Sequence, residues 1–334
     1  MFRHVGRPCA TMKTILYAAW AACAALSSAS PHAQTAWPER AVTVVVPFPA
    51  GGATDAAARA MATQMQTALG QSFVVDNRPG ATGTLGAGAV KRAAPDGYTL
   101  MVASLAPYVI APHLMKSVPY DARKDFDYLS VLVQAPNVLV AAPDKKARTV
   151  ADVLAELRAD PGRVSFASSG NGASDHLSAE LFWQQTRTSG LHVPYKGGAP
   201  AINDLLGNQV DYSFQNVNAV LPQIRAGKLH AIAVTGARRS SVLPDTPTLA
   251  EAGVKDAEVY SWQGLAAPRG LPPAVREKAA AAAAAALREP QVARRLTEQG
   301  LEIVAGTPAE FTALQAREFA RWKTLIETRG ISAD

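Results

Sequence analysis

Residues 41–55 read AVTVVVPFPAGGATD, and this stretch decides the architecture. Residues 41–46 are an almost unbroken apolar, β-branched run, the pattern of a strand buried on both faces of a parallel sheet. Pro47 and Pro49 end the ladder, because proline carries no backbone donor. Gly51 and Gly52 then permit a tight turn with uncovered N–H groups. A helix is predicted from near Thr54, with Ala57, Met61, Met65 and Leu69 on one face and Gly70 just beyond its end. Strand, glycine turn and helix start together make an anion cradle: bare amides beside the positive end of a helix dipole. The same pattern also serves as a plain strand-to-helix connector, so the stretch alone leaves both readings open.

Working outward, residues 1–33 stand apart. Arg3, Arg7 and Lys13 precede and flank an apolar run at 14–26, and small residues follow. This is the pattern of a secretory signal peptide, too short for a permanent membrane helix. Met12 is an alternative start, and cleavage is expected between Ala29 and Ala33. Cys23 follows Trp20, where a lipoprotein signal has a leucine-like residue, so lipidation is the minor alternative. Both cysteines, Cys9 and Cys23, fall in this leader. A cysteine-free mature chain suits a periplasm-like space and a core that needs no disulfides. Removing Arg3, Arg7 and Lys13 lowers the 33 basic residues to 30 against 27 acids, so the mature form is only mildly basic. No basic stripe interleaved with aromatics is present, which argues against a nucleic-acid partner. About 300 mature residues suggest two domains.

Strands are expected at 72–76, 98–103, 138–142, 164–168, 192–195, 210–214, 229–235 and 260–267, with helices at 82–94, 175–186 and 199–206. Strand and helix alternate at βαβ spacing, which implies right-handed crossovers and a parallel sheet. Ser104 then lies past a strand's carboxyl end, where open α/β sheets bind ligands, and Asn216 sits just past the strand at 210–214. A new unit begins at Thr149, which with Asp152 signals a helix start. In that unit residues 169–174, SGNGAS, repeat the strand–glycine turn–helix arrangement. The alanine run after Lys278 is read as a strong helix former only. Thr307 and Glu310 form a capping box with Pro308 at the first helical position, and Phe311, Leu314, Phe319, Trp322 and Ile326 recur at helical spacing before Gly330.

Several chemistries are disfavoured. No GxxxxGK[ST], GxGxxG after a strand, or GxSxG elbow occurs. Ser169, Ser174 and His176 are close in sequence, but a serine nucleophile needs a base aimed back at it by the fold. His113, His176, His192 and His230 lack metal-ligand spacing. Asp55 would repel a carboxylate, so its expected role is to accept backbone N–H groups and fix its loop. His176 is read as a structural residue at a helix start, and Lys196 as a solvated turn residue.

From Trp37 to the C-terminus the chain resembles the Bug, or TctC-like, extracytoplasmic receptors of tripartite tricarboxylate transport systems. The landmarks, in order, are VPFPAGGATD, NRPGATG, PDGYTL, SFASSGNGASDHLSAELF, VPYKGGAPAINDLLGNQVDYSF, IRAGKLHAIAVTGARRS and LPDTPTLAEAG. The resemblance implies an α/β, type II periplasmic-binding-protein fold: two α/β domains with mostly parallel sheets, joined by a hinge of two crossings near 137–143 and 261–268. Domain 1 would be 37–141 with 260–334, and domain 2 would be 142–259. It implies a non-enzymatic, monomeric periplasmic protein without cofactor or metal, whose partners are a small carboxylate and membrane permease subunits. A signalling receptor, and more remotely a secreted hydrolase, are the alternatives. The ligand would be held by Pro47, Phe48, Pro49, Ala50, Gly51, Gly52 and Asp55 of the first loop. Ser168, Ser169, Gly170, Asn171, Gly172, Ala173 and Ser174 would hold it from the second, with Ser104, Tyr195, Asn216 and Gln263 as secondary contacts. The chain departs from the family pattern at Gln215 and Asp175, which bears on the ligand's distal end.

Overall fold

The computed structural model describes residues 1–2 and 37–333; the expectations for the leader, including Cys9 and Cys23, lie outside the described residues. In chain order come β1 (Val42–Val46), α1 (Ala53–Leu69), β2 (Phe73–Asn77), α2 (Thr84–Lys91), β3 (Thr99–Ser104), a π-helical turn (Ala106–Ile110), α3 (Ala111–Leu114) and β4 (Phe126–Ala141). Next are α4 (Val150–Ala159), β5 (Ser165–Ser168), α5 (Ser174–Thr186), β6 (Leu191–Pro194), α6 (Gly198–Leu206), β7 (Tyr212–Asn216), α7 (Val217–Arg225) and β8 (His230–Val234). The chain ends with β9 (Tyr260–Pro268), α8 (Pro273–Arg288), α9 (Pro290–Glu298), β10 (Glu302–Ile303) and α10 (Pro308–Arg329).

β1 is bonded on both edges, to β2 and β3, in parallel. Val44 and Val46 enter the apolar layer under α1 and α8, while Val45 enters the opposite layer with residues of α2 and α10. Both faces are covered, which is why the run shows no polar alternation. Each fully buried valine contributes at most roughly 1.5–3 kcal/mol. The second parallel set, β6–β5–β7, is built alike: Phe166 faces one layer and Ala167 the other.

The strand order is β2-β1-β3-β9-β4-β7-β5-β6, with β8 and β10 also on β4. Parallel pairing holds on the flanks and fails in the centre. There β9 runs antiparallel to β3 and β4, and β4 antiparallel to β7 and β8. The reason is geometric. A strand that leaves one set toward the carboxyl ends of its parallel strands enters the next set from that same side, and so runs against it. β4 does this: residues 126–136 pair with β9, and residues 137–141 with β7. The change falls at Pro136, whose missing donor also hid the first half of this 16-residue strand in the sequence.

Other departures are local. The helix expected over 82–94 is a 3₁₀ turn (Ala81–Gly83) followed by the shorter α2, because Gly80, Thr82 and Gly83 all have positive φ. Ser104 and Asn216 are the last residues of their strands rather than lying just past them. α3, α7, α9 and β10 were not anticipated. The alanine run does more than favour helix: Ala279, Ala280, Ala283 and Ala286 are buried in the layer that also holds Ala57, Ala60 and Met61 of α1, where small side chains let the two helices pack closely. The capping boxes are present as read, Thr149 with Asp152 and Thr307 with Glu310, and α10 ends at Gly330 in the left-handed region.

Candidate functional site

The first four N–H groups of a helix have no partner within it. At α1 the N-cap is Gly52, extended and without a capping side chain, and Ala56 N is the first amide to reach back, to Gly52 O at 2.9 Å. The amides of Ala53, Thr54 and Asp55 are therefore open. At α5 the N-cap is Ala173, again without a capping side chain, and Leu177 N reaches Ala173 O at 3.0 Å. Asp175 Oδ1 accepts the His176 amide at 2.9 Å, which leaves those of Ser174 and Asp175 open. Both helix starts border one cavity of about 720 Å³, lined by Ala53 and Thr54 on one side and by Ala173, Ser174 and Asp175 on the other. Its walls come from the carboxyl ends of β3, β6 and β7 and from the start of β9, as the rule for open α/β sheets requires.

Of the residues expected to hold a ligand, Phe48, Ser104, Ser169, Gly170, Asn171, Gly172, Ala173, Ser174, Tyr195, Asn216 and Gln263 line this cavity. Pro47, Pro49, Ala50, Gly51, Gly52, Asp55 and Ser168 do not. For Asp55 the reason is plain. Its buried carboxylate accepts Gly51 N (3.0 Å), Arg59 Nε (2.9 Å) and Asn77 Nδ2 (2.9 Å), so it braces the loop from behind. The Arg59 hydrogen bond is the main cause that holds its pKa down at about 2. Ser168 is buried, and its hydroxyl pairs with His192 Nε2 at 2.6 Å.

Within the second loop some amides are already committed. Ser169 N donates to Asp175 Oδ2 (2.7 Å), Gly170 N to Ser168 Oγ (3.2 Å) and Gly172 N to His176 Nδ1 (3.0 Å). Burial pushes the Asp175 carboxyl up, and the hydrogen bonds from Ser169 oppose the shift. The Tyr195 hydroxyl is bound to Asp204 at 2.7 Å, and burial with that contact raises it to about 12. Gln263 pairs opposite Ser104, is 3% exposed, and its Oε1 has no hydrogen-bond partner. Lys196 is exposed at the cavity rim, without a partner among the described residues, and is the only cation lining it.

Sequence reasoning missed Ala53, Thr54, Thr82, Leu105, Ala106, Pro194, Ser261 and Ala333 as lining residues. Ala53 and Thr54 could have been found, since an uncapped helix start points its own amides forward. Thr82 owes its place to a positive φ of 56° that no side-chain signal announces. The serine and histidine cluster forms no nucleophile–base pair in the cavity. Ser169 Oγ donates to Asp175 (2.6 Å), and the Ser168–His192 pair is part-buried and outside the lining. No group of His, Cys, Asp and Glu among the described residues has a metal-holding arrangement.

Residues 57–331 match the family model described as "Tripartite tricarboxylate transporter family receptor". Among solved structures, R. palustris Rpa4515 with adipate is 36% identical, with a TM-score of 0.80 over 89% of this chain and 99% of that one. The periplasmic binding protein BugD is 35% identical, with a TM-score of 0.77 over 89% and 99%. MatC from Rhodopseudomonas palustris with bound malate is 34% identical, with a TM-score of 0.76 over 87% and 100%. The fold is thus the α/β periplasmic-binding-protein fold expected from the resemblance. The family is one of transport receptors rather than enzymes. Motif order, fold and family model agree, and the chain belongs to the TctC, or Bug, family of receptors of tripartite tricarboxylate transporters.

Proposed function

We propose that this chain is exported to the periplasm, captures a small organic carboxylate in the cavity between α1 and α5, and passes it to the membrane subunits of a tripartite transporter. One observation carries the reading: two helix N-termini, both uncapped by side chains, open onto the same cavity. Their free amides and dipoles supply a carboxylate with fixed donors on two sides. Adipate in Rpa4515 and malate in MatC are ligands of the same chemical class. Residues 37–141 with 260–334 would form one domain and 142–259 the other. They would close on the ligand by bending where β4 changes partners at Pro136 and where Val259 leads into β9. Thermal-shift and calorimetric screening of refolded protein against carboxylates that include adipate and malate tests this. A true ligand at one hundred times its dissociation constant should stabilise the fold by about 2.7 kcal/mol. No stabilisation by any carboxylate would overturn the reading, and ligand recovered chemically altered would indicate an enzyme.

A further inference from the structure

A buried histidine, His176, and a half-buried one, His192, lie outside the cavity lining, yet both are tied to the second loop. His176, in the first turn of α5, accepts the Gly172 amide at Nδ1 (3.0 Å), and its Nε2 lies 3.5 Å from Glu180 Oε1. His192, on β6, stacks on it with ring centroids 3.6 Å apart and planes 4° apart. His192 Nε2 shares a 2.6 Å hydrogen bond with Ser168 Oγ, which itself accepts the Gly170 amide at 3.2 Å. The stacked pair therefore holds both ends of residues 170–172, the segment between β5 and α5 that borders the cavity.

The charged groups facing the pair are few. Asp175 binds the His176 amide, Glu180 comes from α5, and Arg329 of α10 joins Glu180 at 2.6 Å. From the opposite side Leu114 and Ile110 of the π-turn and α3 segment close against Gly172. In this geometry His176 is a neutral tautomer, with Nδ1 accepting a peptide N–H and Nε2–H directed at Glu180. A proton on Nδ1 would oppose one N–H to another, so either the ring or the loop must move. Burial, then the neighbouring His176, lowers His192 to about 4.

We propose that His176 and His192 are positioning residues: His176 Nδ1, by accepting the Gly172 amide, and His192, by holding Ser168 at the Gly170 amide, keep residues 170–172 in the anion-accepting form. This rests on the carboxylate reading of the cavity. In ligand-free protein, ¹⁵N-edited NMR should show the Gly172 amide shifted in His176→Leu and returned toward its original position in His176→Asn, which offers an oxygen acceptor near the place of Nδ1. A Gly172 amide that is unmoved in His176→Leu overturns the proposal, whether or not any carboxylate binds. With adipate as calorimetric probe at one fixed pH, His176→Leu should bind about tenfold or more weakly than the unmodified protein, and His176→Asn should restore most of the affinity. Equal affinity in the unmodified protein and His176→Leu, or no recovery in a folded His176→Asn, would overturn the proposal.

Discussion

Asp55 and Gly51 are joined by a 3.0 Å hydrogen bond from the glycine amide to Oδ2, so the acid closes the first loop from behind instead of facing the cavity. Asp175 likewise braces the second loop, accepting Ser169 N at 2.7 Å, while also lining the cavity. The local sequences are Gly52-Ala53-Thr54-Asp55 and Gly172-Ala173-Ser174-Asp175, one register repeated. In each the small residues leave the helix amides open, and the acid that follows braces the loop. For Asp55 an acid beside an anion site is thereby explained: its charge is already met by Arg59.

Asp55 should couple stability to pH. Its folded pKa, about 2, lies below the ordinary value of 3.8, so the contribution is fully present above pH 3.8 and is lost as pH falls toward 2. The shift corresponds to about 2 kcal/mol, and less in effect, because the Arg59 side chain is half-exposed and screened. Asp55→Ala should be less stable than the parent by about 1–3 kcal/mol at neutral pH, since Gly51 N and Asn77 lose an acceptor. Denaturant titrations at several pH values should show the gap narrowing in acid. A gap independent of pH would mean the carboxylate's charge is irrelevant.

The two loop glycines should respond differently to substitution. Gly52 has φ −80°, and a Cβ there would meet only Pro49 O at 3.9 Å, so Gly52→Asp should fold normally and lose carboxylate binding by repulsion. Gly172 has φ +74°, and its Cβ would lie 2.5 Å from Leu114 Cδ2. Even Gly172→Ala should therefore destabilise the fold by about 1–3 kcal/mol. Thermal melts beside binding titrations separate the two. A stable Gly172→Ala, or a Gly52→Asp that binds normally, would contradict this division.

What the sequence disclosed follows from where the physics is local. β1 and α10 were legible because burial on both faces and a capping box are written in consecutive residues. The second loop was legible as a repeat of the first. The antiparallel centre was not, since the direction of β4 and β9 depends on which set of strands each enters, a relation between residues about seventy or more positions apart. Within the site, backbone donors were foreseen as a class. Which of them remain free was hidden, because that depends on side chains such as His176 and Asp175 folding back onto their own loops. Ala333 joins the lining from the far end of the chain, and nothing in its neighbourhood signals it.

Thr235 stitches the two connecting strands together. Its Oγ1 accepts Asn137 N at 2.9 Å and donates to Val259 O at 2.6 Å, while its own amide donates to Asn137 O at 2.8 Å and its carbonyl accepts Val259 N at 3.0 Å. The side chain is 1% exposed, so water does not replace a lost partner. Thr235→Val keeps the shape and removes the hydroxyl, and should cost about 1–3 kcal/mol of stability. If the chain bends here on closing, ligand affinity should change as well. Calorimetric unfolding with and without adipate reads both effects, and a fully stable variant would show the hydroxyl to be dispensable.

The last prediction separates fixed backbone donors from a side-chain ion pair. Neither 47–54 nor 168–175 contains lysine or arginine, and Lys196 is the only cation lining the cavity, exposed at its rim. If the ligand's charge is met by the amides of Ala53, Thr54, Ser174 and Asp175, the interaction is short-range and sheltered. Screening acts mainly on exposed charges farther apart than about 10 Å, the Debye length at 0.1 M salt. Affinity for a bound carboxylate should then change only about two- to threefold between low and physiological ionic strength. Lys196→Ala should weaken binding by under about 1 kcal/mol, the scale of an exposed pair. Titrations of the unmodified protein and Lys196→Ala at two salt concentrations decide the matter. A steep salt dependence that disappears in Lys196→Ala, together with a loss of about 2 kcal/mol or more, would transfer the ligand's charge from the helix amides to the lysine.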